Sequence, residues 1–181
     1  MANPERLPPS DMPPILHLTI LPANYAHPGH AHALVTLLDA YARDPTGGGE
    51  PLSAFAKANL ARELGRRPQA FSVLAFDGVD VDTAAPVGLV NCIEGFSTFA
   101  CRPLVNVHDV VVAASHRGRG VAARMLALVA QMARERGACK LTLEVLTGNH
   151  GARRLYERLG FAAYQLDPSM GQAQFMQKWL D

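Results

Sequence analysis

The sequence predicts a single α/β domain on a mixed sheet, with elements in the order β-α-α-β-β-β-α-β-α-β-β. Three observations carry this. Four segments repeat apolar residues at helical spacing, and the segments between them read as short β-branched or alternating runs. A long apolar strand, Leu104 to Ala113, leads into Arg117-Gly118-Arg119-Gly120 and then a helix. The chain has 181 residues, 49% of them hydrophobic, which suffices for one domain with a proper core and little more.

Residues 1–14 hold five prolines and no apolar period, so they read as a loosely ordered tail before one domain over residues 15–181. Ile15 to Leu21 is a plausible first strand. From Gly29 to Arg43 the helical stripe is Leu34, Leu37, Leu38 and Tyr41, ended by Asp44-Pro45-Thr46-Gly47-Gly48-Gly49 because proline and glycines break the repeat. A second helix opens at Pro51 with Leu52, Phe55, Ala56, Leu60 and Leu64 on one face and stops at Gly65. Ala70–Phe76, Pro86–Glu94 and Leu104–Ala113 follow as strands. The next helix runs to Arg136 with the stripe Val121, Met125, Val129 and Met132, and Cys139–Leu146 alternates as a strand. A short helix from Asn149 to Leu159 and strands Phe161–Leu166 and Ala173–Leu180 complete the chain.

Lys and Arg number 17 against 16 Asp and Glu, so no overall field draws the chain to nucleic acid or to a membrane surface. No stretch reaches the roughly 20 apolar residues of a membrane span, and the first residues lack a signal-peptide core. Cys92, Cys101 and Cys139 lack metal-type spacing and read as free thiols, which makes the cytoplasm the expected compartment.

The strand–turn–helix at Arg117-Gly118-Arg119-Gly120-Val121-Ala122 has a direct chemical use. The first N–H groups of a helix lack internal partners and carry partial positive charge. Glycines let a ligand approach the backbone, and two arginines add full charges, so the turn can seat a pyrophosphate; the alternative on this fragment alone is an ordinary Arg-Gly-x-Gly loop. A Walker-type site is excluded by the absence of Gly-Lys-Ser/Thr, and the third glycine of a dinucleotide fingerprint is missing. Downstream, Asn149 can cap a helix that puts Ala152, Leu155, Tyr156 and Leu159 on one face.

These two segments together resemble the GCN5-related N-acetyltransferase superfamily. Arg117-x-x-Gly120-x-Ala122 is similar to its acyl-CoA pyrophosphate motif, with Arg117 where many members have Gln. Asn149-x-x-Ala152-x-x-x-Tyr156-x-x-x-Gly160-Phe161 is similar to its second cofactor motif. The resemblance implies a mixed, partly splayed sheet of about six or seven strands and acetyl-CoA as cosubstrate. It implies that the backbone of Val110, Val111 and Val112 holds the acyl and pantetheine amides. The turn of Arg117, Gly118, Arg119, Gly120, Val121 and Ala122 would bind the pyrophosphate. Asn149 and Ala152 would contact the pantetheine region, and Tyr156 would sit near the thioester sulfur and protonate it. The alternative for Tyr156 is a core tyrosine.

Transfer to an amine also needs a group to take the ammonium proton. His108, in Asn106-Val107-His108-Asp109, is the best candidate; some relatives carry a Glu-Asp pair on this strand. Its alternative is a hydrogen-bonded strand histidine. Ideal alternation sends His108 and Asp109 to opposite faces, so both reach one cleft only if the strand bulges. Glu94 and Glu144 are lesser candidates. Tyr41, Asp44 and Asp109 are candidates for holding a cationic acceptor, and Ser97-Thr98-Phe99 can face it as well. His27, His30 and His32 lack an evident further ligand, so no metal is expected. Arg153, Arg154 and Arg158 read as a solvated helix face. The expected activity is acetyl transfer to a primary amine, of a small molecule first and of a protein or peptide second. A non-catalytic acyl-CoA-binding module is the reading from another class. Phe175 and Trp179 on the last apolar strand leave a homodimer open.

Overall fold

The computed structural model describes residues 17–164, 167, 169 and 175–180. Two compact units divide at Glu144/Val145. The first holds β1 (Leu18–Pro22), α1 (Pro28–Ala42), α2 (Ala54–Gly65), β2 (Ala70–Asp77), β3 (Ala85–Ser97), β4 (Arg102–Val112), α3 (Val121–Glu135) and β5 (Leu141–Leu143); the second holds α4 (His150–Arg158). These nine elements follow the expected order. The five strands lie side by side in chain order, antiparallel from β1 to β4 and parallel between β4 and β5. No helix among the described residues is long and apolar enough to cross a membrane.

Three expectations need correction. Residues 161–164 and 175–180 form no strand; the other positions of the two expected terminal strands lie outside the described residues, as does the start of the strand placed at Ile15. Phe161 instead gives its N–H to Tyr156 O at 3.0 Å, closing α4, and Phe175 and Trp179 are exposed. The strand placed over Cys139–Leu146 shortens to three residues, all paired to β4. Phe55 is 76% exposed; at 3.6 residues per turn it lies about 180° around α2 from Leu64 and about 140° from Leu60, both of which pack against the core.

Both faces of the sheet in the first unit are covered. Leu34 and Leu37 of α1 share a cluster with Leu74, Phe76, Leu89 and Val111. On the alternate strand positions, Met125 of α3 meets Gly88 and Ala75, so α1 and α3 lie on opposite faces. The α3 stripe buries Val121, Met125, Leu126, Val129 and Ala133. A Cβ at Gly88 would lie 2.8 Å from Met125 Sδ and Cε and 3.1 Å from Ala75 Cβ. Gly88→Val is therefore expected to destabilise the fold by about 1–3 kcal/mol through overpacking. A lowered urea midpoint at unchanged m-value is the readout.

Candidate functional site

β4 positions most of the candidate residues, and its two edges differ. β3 pairs with it along its length, whereas β5 pairs only with Val105, Asn106 and Val107. Ala113 N–H donates to Val87 O at 2.9 Å. Strand alternation therefore turns the peptide groups of Val110 and Val112 to the other edge, beyond the end of β5. Val112 C=O there accepts from Arg117 Nε at 3.2 Å. Val111 directs its peptide to β3 and buries its side chain against α1. Unladdered N–H and C=O groups on such an edge suit an extended, amide-bearing ligand.

Past Val112 the chain makes a single 3-10 turn, Ala114–His116. His116 Nε2 lies 3.1 Å from Asp77 Oδ2 and its Nδ1 2.9 Å from Ser115 Oγ, bracing the turn to the end of β2. Gly118 and Gly120 then take φ of +74° and +80°, a left-handed conformation that costs other residues about 1–2 kcal/mol. The side chains of His27, Ser53 and Asn149 cap α1, α2 and α4, but none among the described residues caps α3. The first N–H groups of this 15-residue helix thus have no capping side chain among the described residues and carry the helix's partial positive charge. A Cβ at Gly118 or Gly120 meets nothing within 4 Å among the described residues, which leave the space beside the turn open. An uncapped helix start, an open approach and two arginines fit the diphosphate of CoA.

Arg117 has a partner the sequence did not reveal. Its Nη2 lies 3.2 Å from Asp44 Oδ2, while Asp44 Oδ1 accepts from Thr46 N and Thr46 Oγ1. The Thr46 backbone and hydroxyl, then Arg117, hold the Asp44 carboxyl below its ordinary range. Asp44 therefore ties the end of α1 to the glycine turn.

The bulge required by the His108-Asp109 pair is present. Asp109 opposes Asn91 and Val107 opposes Cys92, which makes His108 the extra residue. His108 Nδ1 lies 3.3 Å from Asn106 Oδ1, and Asn91 Nδ2 donates to Asp109 Oδ2 at 2.9 Å. Both side chains thus share the α1 face of the sheet. Tyr41 closes this face from α1, with its hydroxyl on Thr46 O at 3.2 Å. Burial first, then the charges of Asp109 and Asp44, raise its pKa. Asp109 is half-buried, and among the described residues it makes no ion pair.

The other carboxylates and the thiols are less apt. Glu94 pairs with Arg136 at 3.2 Å, and Glu144 is exposed. Burial pushes the Cys92 thiol up to about 12, so it packs as a protonated apolar group rather than a nucleophile. His27 at the start of α1 and His30 and His32 within it have separate duties. His27 caps α1, His30 accepts from Asn24 N at 3.0 Å, and His32 lies 3.5 Å from Thr36 Oγ1. Ser97 Oγ takes the Ala100 N–H at the β3–β4 turn, where Phe99 is fully exposed. Sequence reasoning missed Asn91, whose signal is a polar residue inside the apolar run Val87–Ile93.

In the second unit, Asn149 Oδ1 caps α4 by accepting from Ala152 N at 3.1 Å. Tyr156 is the one buried residue of that helix, its ring edge-on to Phe161 at 5.8 Å between centroids. Arg153 lies 3.9 Å from Glu157, and Arg154 and Arg158 are exposed.

Streptothricin acetyltransferase of Streptomyces lavendulae is 37% identical over 101 residues, 53% of each chain. An uncharacterized N-acetyltransferase of Bacillus subtilis, YobR, is 28% identical over 48% of this chain and 32% of its own length. The chain thus spans about half or less of these curated relatives. Among solved structures, a probable acetyltransferase aligns with a TM-score of 0.73 at 22% identity, covering 90% of this chain and 99% of that one. AAC(6')-Iy in complex with the bisubstrate analogue CoA-S-monomethyl-acetylneamine aligns with a TM-score of 0.68 at 18% identity, covering 91% and 99%. At these identities the likeness to the solved structures is one of fold. Residues 34–161, which contain both motifs, match the Acetyltransferase (GNAT) family, and the chain belongs to that family.

Proposed function

We propose that the chain is an acetyl-CoA-dependent N-acetyltransferase whose acceptor is a primary amine on a small cationic molecule. One observation carries the donor half: the open edge of β4 leads through two left-handed glycines into the uncapped start of α3. Acetyl-CoA supplies the activated acetyl group. The backbone from Arg117 to Ala122, with Arg117 and Arg119, holds the diphosphate. Val110 and Val112, on the same strand as Val111, offer backbone groups to the pantetheine amides and the acyl group, and the Val110 N–H stabilises negative charge on the acyl oxygen. Asn149 and Ala152 contact the pantetheine region, and Tyr156 donates a proton to the departing thiolate.

The acceptor half rests on the α1 face. Asp109 offers a carboxylate to an ammonium group, Tyr41 and Asp44 flank it, and His108 takes the amine's proton directly or through water. One likeness favours a small amine over a peptide: the streptothricin enzyme, 37% identical over 53% of this chain. The test is a panel of streptothricins, aminoglycosides, polyamines and lysine peptides with acetyl-CoA, scored by thiol release and product mass. Turnover of the small polycations in preference to peptides is expected. Preference for peptides overturns the acceptor assignment, and acetyl-CoA binding without turnover on any amine overturns the enzyme assignment.

A further inference from the structure

Three directly opposed residues on adjacent strands form a polar row across the α1 face of the sheet. Ser72 of β2 opposes Asn91 of β3, and Asn91 opposes Asp109 of β4. Opposed side chains stand about 4.5–5.5 Å apart at Cβ, so short side chains can bridge each gap. Ser72 Oγ donates to Asn91 Oδ1 at 2.6 Å, and Asn91 Nδ2 donates to Asp109 Oδ2 at 2.9 Å. Tyr25, before α1, places its hydroxyl 2.8 Å from Ser72 Oγ. Ser72 and Asn91 are 1% and 5% exposed.

The direction of this row is set by chemistry. A carboxylate only accepts, so Asn91 must turn its amide N–H₂ to Asp109 and its carbonyl to Ser72. Ser72 has one hydroxyl hydrogen, which goes to Asn91, so the Tyr25 hydroxyl donates to Ser72. Every hydrogen points toward Asp109, and such chains strengthen cooperatively in a low-dielectric interior. Burial raises the Tyr25 phenol above its ordinary value, which keeps it a donor. The extra residue at His108 completes the row, because regular pairing would set His108 opposite Asn91. Apolar side chains would fill these positions without a desolvation cost.

We infer that Tyr25, Ser72 and Asn91 are positioning residues that lock the Asp109 carboxylate in one orientation as the seat for the acceptor's ammonium group. This rests on the reading of the chain as an amine acetyltransferase. One Asp109 oxygen is held by Asn91, and the other has no hydrogen-bond partner among the described residues, which leaves it to the substrate.

The test is a double-mutant cycle on the full chain with acetyl-CoA and the best acceptor of the panel. Asp109→Asn and Asn91→Leu are each expected to raise the amine KM by about tenfold, with the acetyl-CoA KM unchanged. The double variant is expected to be no worse than Asp109→Asn, since Asn91 acts only through Asp109. Additive losses, or an unchanged amine KM in a folded Asn91→Leu, overturn the inference. Ser72→Ala and Tyr25→Phe are smaller changes, expected to raise the amine KM by about two- to fivefold; they keep the test available if Asn91→Leu does not fold. Calorimetric titration of the amine into the CoA-bound protein reads the seat without turnover. The amine Kd is expected to rise by about tenfold in Asn91→Leu and by about two- to fivefold in Ser72→Ala as the Asp109 carboxylate loses its fixed orientation. An unmoved Kd overturns the inference; a raised Kd with no amine turned over overturns the enzyme reading instead.

Discussion

Tyr156→Phe is expected to lower kcat by about 10²–10⁴-fold, the usual contribution of a positioned general acid, while acetyl-CoA affinity changes by no more than about twofold. Phenylalanine keeps the ring, and with it the burial of this position and the edge-on contact to Phe161, so the change isolates the hydroxyl. Loss of a single hydroxyl hydrogen bond costs about 0.5–1.5 kcal/mol of stability, a small shift in melting temperature beside the kinetic effect. Steady-state kinetics with a melting curve separate the two. A kcat within about twofold of the parent's would make Tyr156 a core tyrosine and move the proton source elsewhere.

Gly120→Ala carries the second large effect. At φ +80° an L-residue costs about 1–2 kcal/mol. Relief by rotation turns the first N–H groups of α3 away from their common focus. We expect CoA affinity to fall by about 10- to 100-fold, the equivalent of about 1.4–2.8 kcal/mol, with the amine KM little changed. Gly137 provides the control, because it has φ +75° at the other end of the same helix and open space around its Cβ position. Gly137→Ala should lower the melting temperature to a similar extent and leave CoA binding intact. Equal losses of CoA affinity in both variants would mean that strain alone acts and that the turn is not the diphosphate seat. Calorimetric titration with CoA gives the comparison.

The parts of this molecule written locally are legible in the sequence. The strand into Ala113, the two glycines and the α3 stripe are neighbours in the chain, and each has its own residue signature. The Asn149 cap and the inward Tyr156 follow from helical spacing in the same way. What depends on partners far along the chain is not legible. That His108 bulges is decided by its register with Asn91 and Cys92 on another strand, and the sequence of β4 alone allows either alternation. Asp44 reads as a free carboxylate until Arg117, 73 residues away, is seen to share its oxygen. Ser72 and Asn91 look like isolated polar residues in apolar runs, and only their shared row gives them a role. The α2 stripe misplaces Phe55 for a smaller reason: about two and a half turns from Leu64, it falls on the side of the helix away from the core.

A crystal structure with bound CoA tests the central claim most directly. The account predicts the diphosphate hydrogen-bonded to backbone N–H groups between Gly118 and Ala122, Arg117 turned from Asp44 toward the phosphates, and the pantetheine arm along the Val110–Val112 edge. CoA bound with its diphosphate away from this turn, or with its pantetheine arm off the open edge of β4, would contradict it.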